Sequence, residues 1–82
     1  MQLTVRYFAA ARAAAGTESA VLEVDTDSTL GELEALLAKD NPDLERVLER
    51  CSYLRDSVAM CDRGARLGDC ATVDVLPPFA GG

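Results

Sequence analysis

From Leu3 to Phe8 ("LTVRYF") apolar and polar residues alternate one by one, among β-branched and aromatic types. That is the period-2 pattern of a half-buried strand. The alternation is lost in "AAARAAAG". Its alanines favour helix but Gly16 stops it early, which predicts a short turn or helical loop rather than a long helix. Alternation returns in "SAVLEVD" (Ser19 to Asp25), a second strand expected to pair with the first as an antiparallel hairpin with an unusually long connection.

The period then changes. Thr29 followed by Glu32 has the spacing of a capping box, and Leu30, Leu33, Leu36 and Leu37 fall on one helical stripe. Asn41-Pro42 is expected to end this helix. A shorter amphipathic segment, Asp43 to Cys51, sets Leu44, Val47, Leu48 and Cys51 on one face. These side chains are core candidates rather than a cofactor site. "YLRDSVAM" (Tyr53 to Met60) reads as one strand, and "CDRGARLGD" as a turn-rich connector with Arg66-Leu67 as a candidate short edge strand. "CATVDVLP" (Cys70 to Pro77) reads as the last strand, with Val73 and Val75 on one face and Leu76 on the other. Pro77 must end it, because proline donates no ladder hydrogen bond. This order predicts one domain of α+β class in the β-grasp (ubiquitin-like) arrangement. A mixed sheet would carry one main helix across it, with the final strand lying centrally beside the first.

Composition narrows the function classes. The 82 residues are 49% hydrophobic and 27% charged, as in an ordinary globular domain, and the net charge is −6. Lys39 is the only lysine and the arginines are scattered, so the basic face needed to displace counterions from nucleic acid is not expected. There is no histidine, which removes the commonest metal ligand and general base; no metal site is expected. Cys51, Cys61 and Cys70 are odd in number and lack C-x-x-C spacing, so a disulfide framework is not expected and each thiol reads as a small buried hydrophobe. "MQLTVRYFAA" lacks the features of a signal peptide, and no run reaches membrane-spanning length. The expectation is a cytoplasmic protein with no membrane partner.

The ending "LPPFAGG" is the most informative stretch. Pro77 and Pro78 favour an extended polyproline conformation and would hold a tail, residues 79–82, away from a domain formed by residues 1–78. Phe79 offers an apolar anchor, Ala80 is small, and Gly81 and Gly82 lack Cβ and can pass through a narrow channel. A carboxylate at such a tip can react inside another protein. It is a poor acyl donor until transfer to the α-phosphate of ATP makes an acyl-adenylate, which a sulfur nucleophile converts to a thioester or thiocarboxylate. Nothing else in the chain resembles a catalytic constellation. The ATP chemistry would be a partner's, and the chain is not expected to be an enzyme on its own.

"YFAAARAAAG" and "VDVLPPFAGG" together resemble the small, sulfur-carrying subunit of molybdopterin synthase, the MoaD group of the MoaD/ThiS family. That group has F-A-x-x-R followed by a glycine, matched by Phe8, Ala9, Arg12 and Gly16, and V-x-x-x-P-P-x-x-G-G, matched by Val73, Pro77, Pro78, Gly81 and Gly82. The resemblance implies that Gly82 is the reacting residue. A ubiquitin-activating-type adenylyltransferase (MoeB-like) would adenylate it with ATP, and a sulfurtransferase system would convert it to a covalent thiocarboxylate, with no cofactor stably bound. The tail would then enter the large synthase subunit (MoaE-like) and give sulfur to cyclic pyranopterin monophosphate, within a heterotetramer. Phe8, Leu76 and Phe79 are the apolar interface candidates, with a core role open for Phe8 and Leu76. Arg12 would pair with a partner's acid or form a loop salt bridge. Relatives' D-G-D-E-V turn is replaced here by Asp69-Cys70-Ala71-Thr72-Val73, and their valine-asparagine strand is missing. The rival readings are a carrier for thiamine thiazole or cysteine synthesis and a ubiquitin-like modifier conjugated to lysines.

Overall fold

A computed structural model describes residues 1–60 and 62–78. Expectations for Cys61 and for the tail residues Phe79, Ala80, Gly81 and Gly82 lie outside the described residues. The elements in chain order are β1 (Gln2–Tyr7), α1 (Ala9–Ala15), β2 (Ser19–Glu23), α2 (Leu30–Ala38), α3 (Pro42–Leu48), β3 (Ser52–Arg55), β4 (Val58–Met60) and β5 (Thr72–Leu76). The strands form one mixed sheet ordered β2-β1-β5-β3-β4. β1 and β5 run parallel, while β1–β2, β3–β5 and β3–β4 are antiparallel. The last strand therefore lies in the middle, beside the first, as the element order predicts, and the fold is the ubiquitin-like β-grasp.

Alternation decides which face is buried. Leu3, Val5 and Tyr7 of β1 share a face with Val73 and Val75 of β5 and Tyr53 of β3, and all six are buried. Ala11 of α1, Leu30 and Leu33 of α2, and Leu44 and Leu48 of α3 close the core against them. The opposite sheet face carries Thr4, Arg6, Leu54, Thr72, Asp74 and Leu76.

Several sequence expectations are corrected. Tyr53 to Met60 is not one strand but a hairpin, reversed at Asp56 (φ 46°) and Ser57 (φ 72°). In place of one main helix there are three among the described residues, because the alanine run forms the seven-residue α1. Gly16 does stop it, in the left-handed region (φ 76°), with its N–H bonded to Arg12 C=O at 3.0 Å. Asn41-Pro42 begins α3 rather than merely ending α2: Asn41 Oδ1 accepts from Leu44 N–H at 3.1 Å and Pro42 takes the first helical position. Leu36 is 46% exposed and leaves the apolar stripe. Arg66 makes only an isolated bridge to Thr29, while Leu67 is a fully buried core residue.

Candidate functional site at the tail exit

β5 sets the position of everything that follows it. Its central place, with bonded neighbours on both sides, fixes Leu76, and Pro77 and Pro78 then leave the sheet at the end where β1 turns into α1. Phe8 joins those two elements. Its N–H donates to Val75 C=O at 3.2 Å, and its own C=O accepts from Ala11 N–H at 3.0 Å. The strand ends at Tyr7, so Phe8 caps α1 in an extended conformation (φ −123°, ψ 150°) and keeps 39% of its surface exposed. Leu76 is half-buried. Phe8 is thus tied to the end of β5 at Val75, one residue before Leu76 and two before Pro77.

Arg12 stands nearby on α1, exposed, with Nη2 2.6 Å from Oε1 of Glu18; this is the loop salt bridge. A groove of about 610 Å³ runs on the other side of the exit, where Pro77 and Pro78 meet Ala10 and Ala14 of α1 and Val47 of α3. Arg46, at its rim, pairs with Asp43.

Two residues at this end escaped the sequence reading. Arg6 reaches across from β1 to Asp74 of β5 in a fork, Nε to Oδ1 at 2.6 Å and Nη2 to Oδ2 at 2.7 Å. The hydrogen bond and the charge of Asp74 raise the Arg6 pKa above its ordinary value. The Arg6 guanidinium carbon also lies 5.7 Å from the centre of the Phe8 ring, within cation–π range. Alternation alone places both residues on the outward face; their pairing depends on the parallel register Arg6↔Asp74.

The cysteines behave as packing groups. Cys51 and Cys70 are buried and unbridged. Burial, assisted by the charge of Glu34, pushes the Cys51 thiol up to about 11, and burial raises that of Cys70 as well. Cys51 sits beside a polar cluster away from the exit, in which Glu34 of α2 accepts from Tyr53 Oη at 2.6 Å and from Arg63 Nε at 2.7 Å. Desolvation and this bond raise the Tyr53 pKa above its ordinary value. The cluster ties helix, sheet and connector together. Among the described residues no group of three or more acidic, cysteine or histidine side chains could hold a metal ion, and no helix is long and apolar enough to cross a membrane.

These features define a small ubiquitin-like β-grasp protein whose last strand lies in the centre of the sheet and runs into Pro77 and Pro78. The model of the ThiS family matches residues 5–82, and the chain belongs to that family. Among solved structures it is similar to SAMP1 from Haloferax volcanii, at 26% identity over 100% of both chains and a TM-score of 0.81. It shares its fold with the putative molybdopterin converting factor subunit 1 from Pyrococcus furiosus, at 18% identity, 96% and 99% coverage and a TM-score of 0.80. The same holds for a chain from the complex of subunits 1 and 2 of the molybdopterin-converting factor of Helicobacter pylori, at 23% identity, 100% coverage of both chains and a TM-score of 0.71. A search against curated proteins finds no match.

Proposed function

We propose that this protein is the sulfur-carrying small subunit of a molybdopterin synthase, a MoaD-type carrier that is not catalytic on its own. The observation that carries this reading is that the central strand runs directly into Pro77 and Pro78 beside the exposed Phe8, in a chain of the ThiS family. A rigid exit beside an exposed aromatic suits a tail that must be held out and threaded into another protein. Phe79 and Ala80 would enter the partner, and Gly81 and Gly82 would pass its narrowest part.

In this reading a MoeB-like adenylyltransferase joins the Gly82 carboxylate to the α-phosphate of ATP, releasing pyrophosphate. The persulfide of a sulfurtransferase displaces AMP to give an acyl disulfide. A thiol then reduces its S–S bond, being itself oxidised to a disulfide, to leave a thiocarboxylate, an anionic, nucleophilic sulfur carried without any bound cofactor. A MoaE-like large subunit then receives the tail, and the sulfur passes to cyclic pyranopterin monophosphate. Two carriers on a large-subunit dimer make the heterotetramer. Arg12, freed from Glu18, is available to an acid of a partner. The likeness to the P. furiosus and H. pylori subunits supports the fold such a carrier needs, and unbridged Cys51 and Cys70 accord with a reducing cytoplasm.

The similarity to H. volcanii SAMP1, a small archaeal modifier protein, favours a second reading, in which Gly82 is joined to lysines of other proteins. One experiment separates the two. The untagged chain is expressed in its source organism and recovered, and both free protein and conjugates are analysed by mass spectrometry. A terminal thiocarboxylate without lysine conjugates supports the carrier; Gly82 in isopeptide bonds, with no thiocarboxylate-dependent pterin product, supports the modifier.

A further inference from the structure

Asp74 is the only charged residue buried among the described residues, 6% exposed, and it lies in the central strand on the sheet face opposite the helices. Withdrawing a carboxylate from water carries a hydration cost that its partner's attraction seldom more than offsets. With Thr4, Thr72 and Leu54 around it, an apolar cross-strand pair would join β1 to β5 as well. Holding the sheet together does not explain the pair.

Its effect on Arg6 does. The fork to Asp74 occupies Nε and one N–H of Nη2, fixing the plane of the guanidinium and leaving its other N–H groups unused by that carboxylate. The Arg6 side chain stays 51% exposed. It also lies over the ring of Phe8, whose own N–H is tied to Val75, two residues before Pro77. An oriented cationic donor and an exposed aromatic ring therefore stand side by side at the root of the tail, on a chain of net charge −6.

We propose that Arg6, held by Asp74, is a positioning residue of the tail-exit docking face: its remaining N–H groups meet a carboxylate on the adenylating partner while Phe8 enters an apolar recess beside it. The occupant follows from charge complementarity, since a planar guanidinium fixed by one carboxylate and still half-exposed matches the edge of a second. Because the guanidinium is ordered before contact, docking spends less side-chain entropy. The inference rests on the carrier reading above.

The test is steady-state kinetics of ATP-dependent adenylation at Gly82 by the adenylyltransferase of the same organism, with carrier concentration varied. The double variant Arg6→Leu/Asp74→Leu removes the pair without stranding a charge. Its melting temperature is expected to match or exceed that of the wild type, with the KM for the carrier raised about tenfold, the loss of one charged hydrogen bond, and kcat unchanged. Arg6→Lys keeps the charge but not the fork, and its KM is expected to rise severalfold. A double variant with wild-type KM overturns the inference, as does a KM that rises only together with a fall in kcat or melting temperature. A wild-type chain that is never adenylated overturns the carrier reading itself, and the inference with it.

Discussion

Asp56 and Ser57 hold φ of 46° and 72° at the tip of the β3–β4 hairpin. Two successive residues in this region make the tight turn whose preferred sequences are Asn-Gly and Asp-Gly. Serine is strained there, so Ser57→Gly is expected to raise stability by about 0.5–1 kcal/mol in denaturant titration; unchanged or lower stability would contradict the turn. Asp56 does further work: its carboxylate accepts from Ala71 N–H at 3.1 Å and Thr72 N–H at 3.0 Å, holding the approach to β5. The hairpin was missed in the sequence because Asp56-Ser57 is a weak turn signal and the flanking residues continue the strand pattern. Arg6 and Asp74 were missed for a different reason, since partners 68 positions apart meet only through the parallel register. Cys51 was legible as a buried apolar residue, although the helix expected to reach it from Asp43 ends at Leu48. Its thiol ionises near 11 against an ordinary 9.0, so folding favours the protonated form. The stability this contributes is whole below about pH 9 and is lost as pH rises through 11. At pH 8 alkylation of native Cys51 should be about a hundredfold slower than in the unfolded chain, measured by timed alkylation and peptide mapping. Equal rates would contradict its burial.

Elements follow from pattern wherever one face is buried. β1, β2 and β5 were readable because alternation survives in strands with one side against the core. α2 was readable from its cap: Thr29 Oγ1 accepts from Glu32 N–H at 3.1 Å, and Glu32 Oε1 accepts from Thr29 N–H at 3.0 Å. Thr29→Ala should therefore cost about 1 kcal/mol, read from thermal or denaturant unfolding; a neutral substitution would mean that the start of α2 is held by the bonds of Leu30 and Gly31 to the connector instead. What pattern misjudged were the short elements. α1 is seven residues of alanine and arginine with only Ala11 buried, so no apolar stripe marks it. α2, at nine residues, needs only Leu30 and Leu33 fully inside, which lets Leu36 face solvent.

At the scale of the whole molecule, element order together with analogy to the β-grasp arrangement placed β5 in the centre, because a hairpin, a crossing helix and a returning strand close in few ways. The same fold serves sulfur carriers and protein modifiers, so function rests on the tail and on what docks beside it. Deleting Gly81 and Gly82 is expected to leave the melting temperature within a degree or two, since the last residues of a domain generally contribute little to stability, and to leave large-subunit binding largely intact while abolishing sulfur transfer. Sulfur transfer by the deletion variant would contradict a working terminus. The most direct measurement is the intact mass of the untagged protein after incubation with a family adenylyltransferase, ATP and a sulfide source. Replacement of one oxygen by sulfur at the C-terminus, lost when Gly82 is removed, is the predicted result. An unchanged mass with the adenylyltransferase of the same organism, under conditions that convert a control carrier, would contradict the account.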